Sequence, residues 1–183
     1  MTNSGTVLWI TGLSGAGKTT VSSRVQEFLR SRKVPALLID GDRMREALRD
    51  PTYGYDRESR LAGARRYARF AKMVADQGFA AIVSTISLFH EVHDWNRANL
   101  PGYFEVFLDV PEEVRRARDP KGLYAAHVRG DNGSMGGLDL AVELPRSPDL
   151  RLDNSGDENS IDTIADRIVD AFLERFPEGI FRR

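Results

Sequence analysis

The sequence predicts an α/β fold, a parallel, doubly wound five-stranded sheet with helices on both faces and a lid. Three observations predict it. A glycine-rich turn joins an apolar run to a helical pattern near the N-terminus. Short apolar runs then alternate with helical stretches along the chain. One glycine-rich stretch interrupts that alternation. Strand–helix alternation is the pattern of parallel sheets covered by helices.

The elements follow in order. Val7-Leu8-Trp9-Ile10 lies in a strand expected over residues 6–11. Further strands are expected at 34–39, 79–84 and 103–109, with a weaker one at 149–152. Strands buried on both faces read as continuous apolar runs rather than as alternating ones. Helical patterns occupy 18–30, 43–48, 56–76, 92–99 and 111–117. In the last helix, 160–176, Ile161, Ile164, Ile168 and Phe172 recur every three to four residues, which marks one buried face. Residues 119–147 break the pattern with Gly122, Gly130, Gly133, Gly136 and Gly137. So long a loop in a compact domain is usually functional or disordered. Beside a phosphate site it suggests a lid that excludes water. One domain over residues 1–183 is expected.

The turn itself carries the chemistry. Gly12-Leu13-Ser14-Gly15-Ala16-Gly17-Lys18-Thr19 fits the pattern G-x-x-x-x-G-K-[ST] between a strand and a helix. Such a loop presents consecutive backbone N–H groups and a helix N-terminus to an anion. Lys18 would reach the β- and γ-phosphates of ATP, and the Thr19 hydroxyl would hold Mg²⁺. Thr20 completes the nucleotide-binding stretch.

Composition limits the alternatives. With 41% apolar and 29% charged residues the chain reads as an ordinary globular protein. A net charge of −1 gives no general attraction to nucleic acid or to acidic membranes. The absence of cysteine excludes disulfides, thiolate metal sites and cysteine nucleophiles. The short polar N-terminus does not read as a signal peptide, so none is expected, and no apolar run is long enough for a membrane span. A cytoplasmic location is the expectation.

Ligands in such sheets lie beyond the carboxyl ends of the strands. The second strand runs into Asp40-Gly41-Asp42. Two carboxylates there suit Mg²⁺ binding and activation of an attacking hydroxyl, with Asp42 favoured as base or metal-linked residue. A carboxylate capping the next helix is the plainer reading, and one Asp can cap while the other works. Many arginines follow, some of which should grip phosphate with their guanidinium forks. Tyr53 and Tyr55 flank Gly54 and offer a ring to a base, with Met135 of the lid opposite. His90 and His93 sit three apart, but without a third ligand nearby they read as surface histidines. His90 is alternatively a phosphate donor. Arg118 and Lys121, at the opening of the lid, suit charge neutralisation on a transferring phosphoryl group.

These residues resemble the adenylylsulfate kinase family, which phosphorylates the ribose 3′-hydroxyl of adenosine 5′-phosphosulfate. The matching segments are the run from Trp9 to Thr19, Asp40-Gly41-Asp42, Arg65-Arg66, and Arg118-Asp119-Pro120-Lys121-Gly122-Leu123-Tyr124, within residues 6–154. The resemblance implies a P-loop nucleotide kinase fold, ATP with Mg²⁺, a small-molecule nucleotide acceptor and often a homodimer. It assigns Arg45 and Arg60 to the acceptor and stacks Tyr55 on its base.

The departures cluster on the acceptor side. Arg43 stands where the family usually has Asn, and Ala62-Gly63 replaces Glu-Asn. Ile86-Ser87-Leu88-Phe89-His90 lacks the family's arginine, and Met135 replaces an aromatic in the lid. Ser87-Leu88-Phe89-His90-Glu91 with Trp95-Asn96-Arg97, Tyr103-Phe104-Glu105-Val106-Phe107, Gly137-Leu138-Asp139-Leu140 and Pro148-Asp149-Leu150 are similar to a branch of the family with cytidine diphosphoramidate kinase activity. The acceptor site is therefore expected at Arg43, Arg45, Tyr55, Arg60, Gly63, Ile86, Ser87, Leu88, His90, Lys121 and Met135. The acceptor is either adenosine 5′-phosphosulfate or a related nucleotide such as cytidine diphosphoramidate. A regulatory ATP-binding module and a kinase with a non-nucleotide acceptor are the rivals from other classes.

Overall fold

The computed structural model describes residues 5–49, 54, 56–118, 142–157 and 160–177. Strand β1 (Thr6–Thr11) lies at the centre of a parallel sheet. It pairs with β3 (Ala80–Thr85) on one side and β4 (Tyr103–Asp109) on the other. Outside these lie β2 (Ala36–Asp40) and β5 (Leu150–Asp153), giving the order β2-β3-β1-β4-β5. The helices are α1 (Lys18–Ser31), α2 (Gly41–Leu48), α3 (Arg57–Ala75), α4 (His90–Asn99), α5 (Glu112–Arg118) and α6 (Ser160–Arg175).

β1 is buried along its whole length because both faces are covered. Leu8 and Ile10 pack with Val21, Val25 and Leu29 of α1 and with Ile164, Ile168 and Phe172 of α6. Val7 and Trp9 point the other way, into a cluster with α3 and with Val92 of α4. Strand geometry sends successive side chains to opposite faces, so one apolar run serves two cores. The α3 contribution is small residues at helical spacing: Ala64, Ala68, Ala71 and Ala75 are buried, which lets the helix lie close on the sheet. Phe172 is fully buried and meets Phe104 edge-on at 5.9 Å between centroids. Burying such a ring contributes about 1.5–3 kcal/mol.

The chain leaves β1 for β2, two places away, returns to β3, then crosses to β4. The topological switch therefore lies at the carboxyl end of β1, where a ligand crevice is expected. The phosphate loop begins at that point. Among the described residues, no helix is long and apolar enough to cross a membrane.

Most boundaries fall within one residue of the sequence reading, and three differ by two, each for a physical reason. β2 starts at Ala36 rather than 34, because the N–H of Val34 still donates to Leu29 O at 2.9 Å beyond the end of α1. α2 starts at Gly41 rather than 43, because the Asp40 carboxylate accepts from the N–H groups of Asp42 (3.1 Å) and Arg43 (3.2 Å). α4 starts at His90 rather than 92. Its N-cap, Phe89, offers no side-chain acceptor, and Glu143 supplies one from a distant segment at 2.6 Å.

Candidate active site

The phosphate loop follows β1 directly. Gly15 and Gly17 have φ of 79° and 80°, a region that L side chains adopt only with strain. A Cβ on Gly17 would lie 2.6 Å from Asn154 Nδ2. Gly17 is also the N-cap of α1 and provides no side-chain acceptor, so the first N–H groups of the helix remain available to an anion. Gly12 and Ala16 are buried, whereas Leu13 and Ser14 are half-buried and Thr20 is exposed. Lys18 Nζ donates to Leu13 O at 2.9 Å, which folds the side chain back over the loop. From the far edge of the sheet, buried Asn154 donates its amide to Ala16 O at 2.9 Å. Arg118 braces that support by donating to Asn154 O (2.7 Å) and Gly156 O (2.6 Å). Asn154 was missed in the sequence. A lone Asn after a weak strand carries no signal until the sheet brings it beside the loop.

The end of β2 meets this loop. Thr19 Oγ1 donates to Asp40 Oδ2 at 2.9 Å, while Asp40 Oδ1 caps α2. One buried carboxylate thus holds two elements in place. Asp42 lies exposed in the first turn of α2. Of the two expected carboxylates, Asp40 does the capping and Asp42 lies within the first turn of the helix that Asp40 caps. Tyr67 Oη donates to Gly41 O at 3.1 Å and ties α2 to α3. Among the described residues no group of three or more His, Asp or Glu forms a metal cluster. The donors at Thr19 and Asp40 nevertheless fit Mg²⁺, which is held by one or two protein oxygens plus substrate phosphates. Ser84 stands in register with Asp40, and among the described residues its buried hydroxyl has no hydrogen-bond partner.

On the expected acceptor side, Arg43 is exposed and Arg45 half-buried on α2. Arg60 is half-buried in the first turn of α3, and Gly63 is buried nearly one turn further on. Tyr55, Lys121 and Met135, with Tyr53, lie outside the described residues. Residues Ile86 to His90 leave the end of β3. Thr11 Oγ1 donates to Ile86 O at 2.5 Å, and Thr85 Oγ1 and Ser87 Oγ are 2.8 Å apart. Ser87 has φ of 28°, unusual for a non-glycine residue. Leu88 is buried and His90 half-buried. The His90 ring is engaged: Nε2 lies 2.9 Å from Leu144 O.

His93 overturns the expectation of two surface histidines. It is only 5% exposed and belongs to a polar cluster inside the molecule. Its Nε2 lies 3.0 Å from Ser87 O and its Nδ1 3.2 Å from Glu105 Oε1. With Nε2–H donating to the carbonyl, Nδ1 faces the Glu105 carboxyl, and one shared proton would satisfy both atoms. Burial pushes the His93 pKa down and the Glu105 pKa up, so each group resists holding its charge alone. Arg97 Nη2 holds the other Glu105 oxygen at 2.9 Å, and Asp149 takes the Glu105 N–H at 2.8 Å. Burial also raises the Tyr103 hydroxyl well above its usual pKa. This network sits behind Ser87. Its available signal was Glu105, a charged residue inside an otherwise apolar strand.

The chain matches the adenylylsulphate kinase family over residues 4–153. It is 37% identical over 155 residues to a cytidine diphosphoramidate kinase of Campylobacter jejuni, covering 85% of this chain and 89% of that one. It is also 37% identical over 151 residues to a probable adenylyl-sulfate kinase of Pyrococcus abyssi, covering 82% and 86%. The structure of the Mycobacterium tuberculosis APS kinase in complex with AMPPNP and APS superposes with a TM-score of 0.84 at 35% identity, covering 93% of this chain and 98% of that one. It is this chain's parallel sheet, in the order β2-β3-β1-β4-β5 with the glycine-rich loop at its switch point, that superposes on that solved structure. The chain belongs to the adenylylsulphate kinase family and is a nucleotide kinase of the P-loop fold.

Proposed function

We propose that this chain transfers the γ-phosphoryl group of ATP to the ribose 3′-hydroxyl of a nucleotide, with cytidine diphosphoramidate as the acceptor. The hydrogen bond from Thr19 to Asp40 carries this reading, because it joins the phosphate loop to the carboxylate-bearing end of β2. The loop amides and Lys18 would hold the β- and γ-phosphates. Bound Mg²⁺, held through Thr19 and Asp40, would neutralise charge on the phosphate oxygens. Asp42 would accept the hydroxyl proton as the ribose oxygen attacks the γ-phosphorus. The bond to the β–γ bridging oxygen then breaks and ADP leaves. Arg118 and Lys121 would offset charge on the transferring group. Arg45 and Arg60 would hold the acceptor's phosphates, and Arg43, Tyr55, Gly63, Ile86, Ser87, Leu88, His90 and Met135 would shape its pocket.

The changes at Arg43, Gly63, His90 and Met135 favour the amidate acceptor, because hydrogen-bonding positions in a pocket discriminate strongly between substrates. The similarity to the Campylobacter jejuni enzyme supports it. Adenosine 5′-phosphosulfate is the second reading, favoured by the likeness to a structure that holds that nucleotide.

The test is identification of the product. Incubation with ATP, Mg²⁺ and cytidine diphosphoramidate should yield a 3′-phosphorylated nucleotide by phosphorus NMR. An Asp42→Asn variant should lower kcat by about 10²–10⁴, the contribution of a general base. ADP release that no nucleotide acceptor stimulates would refute the assignment.

A further inference from the structure

Glu143 makes more directed contacts to the Leu88–His90 stretch than its half-exposed position suggests. Its Oε2 accepts the His90 N–H at 2.6 Å and its Oε1 accepts from Arg57 Nη2 at 3.0 Å. Its own N–H donates to Leu88 O at 3.1 Å. The next residue presents its carbonyl to the His90 ring at 2.9 Å. The Arg57 guanidinium in turn lies 5.4 Å over the Phe89 ring. Every one of these contacts falls on residues 88–90 or on the arginine that covers them.

The stretch needs such support. Ser87 is in the left-handed region, and a residue held there persists only when its surroundings over-determine it. From inside, His93 fixes the Ser87 carbonyl. From outside, Glu143 fixes the Leu88 carbonyl and the His90 amide. Its carboxylate also sits at the start of α4, where negative charge is favourable. The same His90 N–H holds its pKa below the usual carboxylate range, so it is ionised at neutral pH.

We propose that Glu143 is a positioning residue that fixes the Ser87–His90 segment and thereby sets the affinity for the acceptor nucleotide, without acting on the ATP side. This rests on the reading that Ser87, Leu88 and His90 face the acceptor. Among the described residues, none of Glu143's contacts reaches the phosphate loop, so the two substrates should respond differently to its loss.

The experiment compares the full-length protein with Glu143→Ala, Glu143→Gln and Glu143→Asp. Wild type is first assayed with ATP, Mg²⁺ and each of the two acceptors. Turnover of neither overturns the proposed function, separately from anything Glu143 does. With a working acceptor, Glu143→Ala should raise acceptor KM about tenfold, equivalent to about 1.4 kcal/mol, with ATP KM unchanged. Glu143→Gln, which keeps a carbonyl for the His90 amide, should recover part of that loss. Amide hydrogen exchange should quicken at residues 88–90 and stay as in wild type in the phosphate loop. Should Glu143→Ala fold poorly, Arg57→Gln removes one tie alone and should raise acceptor KM by a smaller factor. Unchanged acceptor KM with unchanged exchange overturns the inference. So does an equal rise in both KM values with a lowered Tm, which is what loss of general stability produces.

Discussion

The two halves of the site are built by different means. The half proposed for ATP is made mainly of backbone: a glycine-rich turn, an open helix N-terminus and one lysine, all within residues 12–20. The expected acceptor half is made of side chains that meet across the sequence. His93 and Glu105 meet behind Ser87, and Glu143 meets His90 across 53 positions. Backbone geometry tolerates few sequences, because Gly15 and Gly17 need positive φ. Side-chain ties can be exchanged one at a time. The ATP half should therefore be rigid in sequence and indifferent to acceptor, while the other half is where a family changes substrate.

The largest effect that tests this contrast is at Lys18. Lys18→Ala should lower turnover by about 10²–10³ with every acceptor, with a Tm near wild type. A loss restricted to one acceptor would break the division. Next, His93→Ala leaves Glu105 buried with Arg97 alone. Leaving a buried polar atom without its partner costs about 1–3 kcal/mol, read as a fall in the denaturation midpoint. The residual folded enzyme should show raised acceptor KM and normal ATP KM. Smaller is Gly17→Ala, where the φ of 80° costs about 1–2 kcal/mol and the new Cβ presses on Asn154. It should weaken ATP binding by calorimetry and leave acceptor binding alone.

The smallest effect concerns acid. The Glu143 pKa is depressed in the folded state, chiefly by the His90 N–H. Its stabilisation is therefore fully present above the ordinary carboxylate range and is lost as pH falls through the depressed value. The Tm difference between wild type and Glu143→Gln should be constant near neutrality and close in acid. Because the carboxylate is about a third exposed, that difference should not exceed about 2 °C.

The same division explains what the sequence revealed. The sheet was legible because Val7 to Ile10 must face two cores, and α6 because Ile164, Ile168 and Phe172 recur at helical spacing. The glycine-rich turn between β1 and α1 was legible because its geometry depends on local spacing. Asn154 was not, since its only meaning is proximity to Ala16 across 138 positions. The burial of His93 was hidden for a related reason. A histidine reads as exposed until a buried acid supplies its partner, and Glu105 lies on another element. The start of α4 was misplaced because its capping acceptor is Glu143 rather than a neighbour.

The most direct measurement is acceptor-stimulated ADP release with ATP and Mg²⁺, run in parallel with cytidine diphosphoramidate and adenosine 5′-phosphosulfate. We expect strong stimulation by the cytidine nucleotide and weak stimulation by the adenosine one. Stimulation by adenosine 5′-phosphosulfate alone would contradict the altered pocket and leave the kinase assignment standing. Stimulation by neither would contradict nucleotide phosphorylation itself.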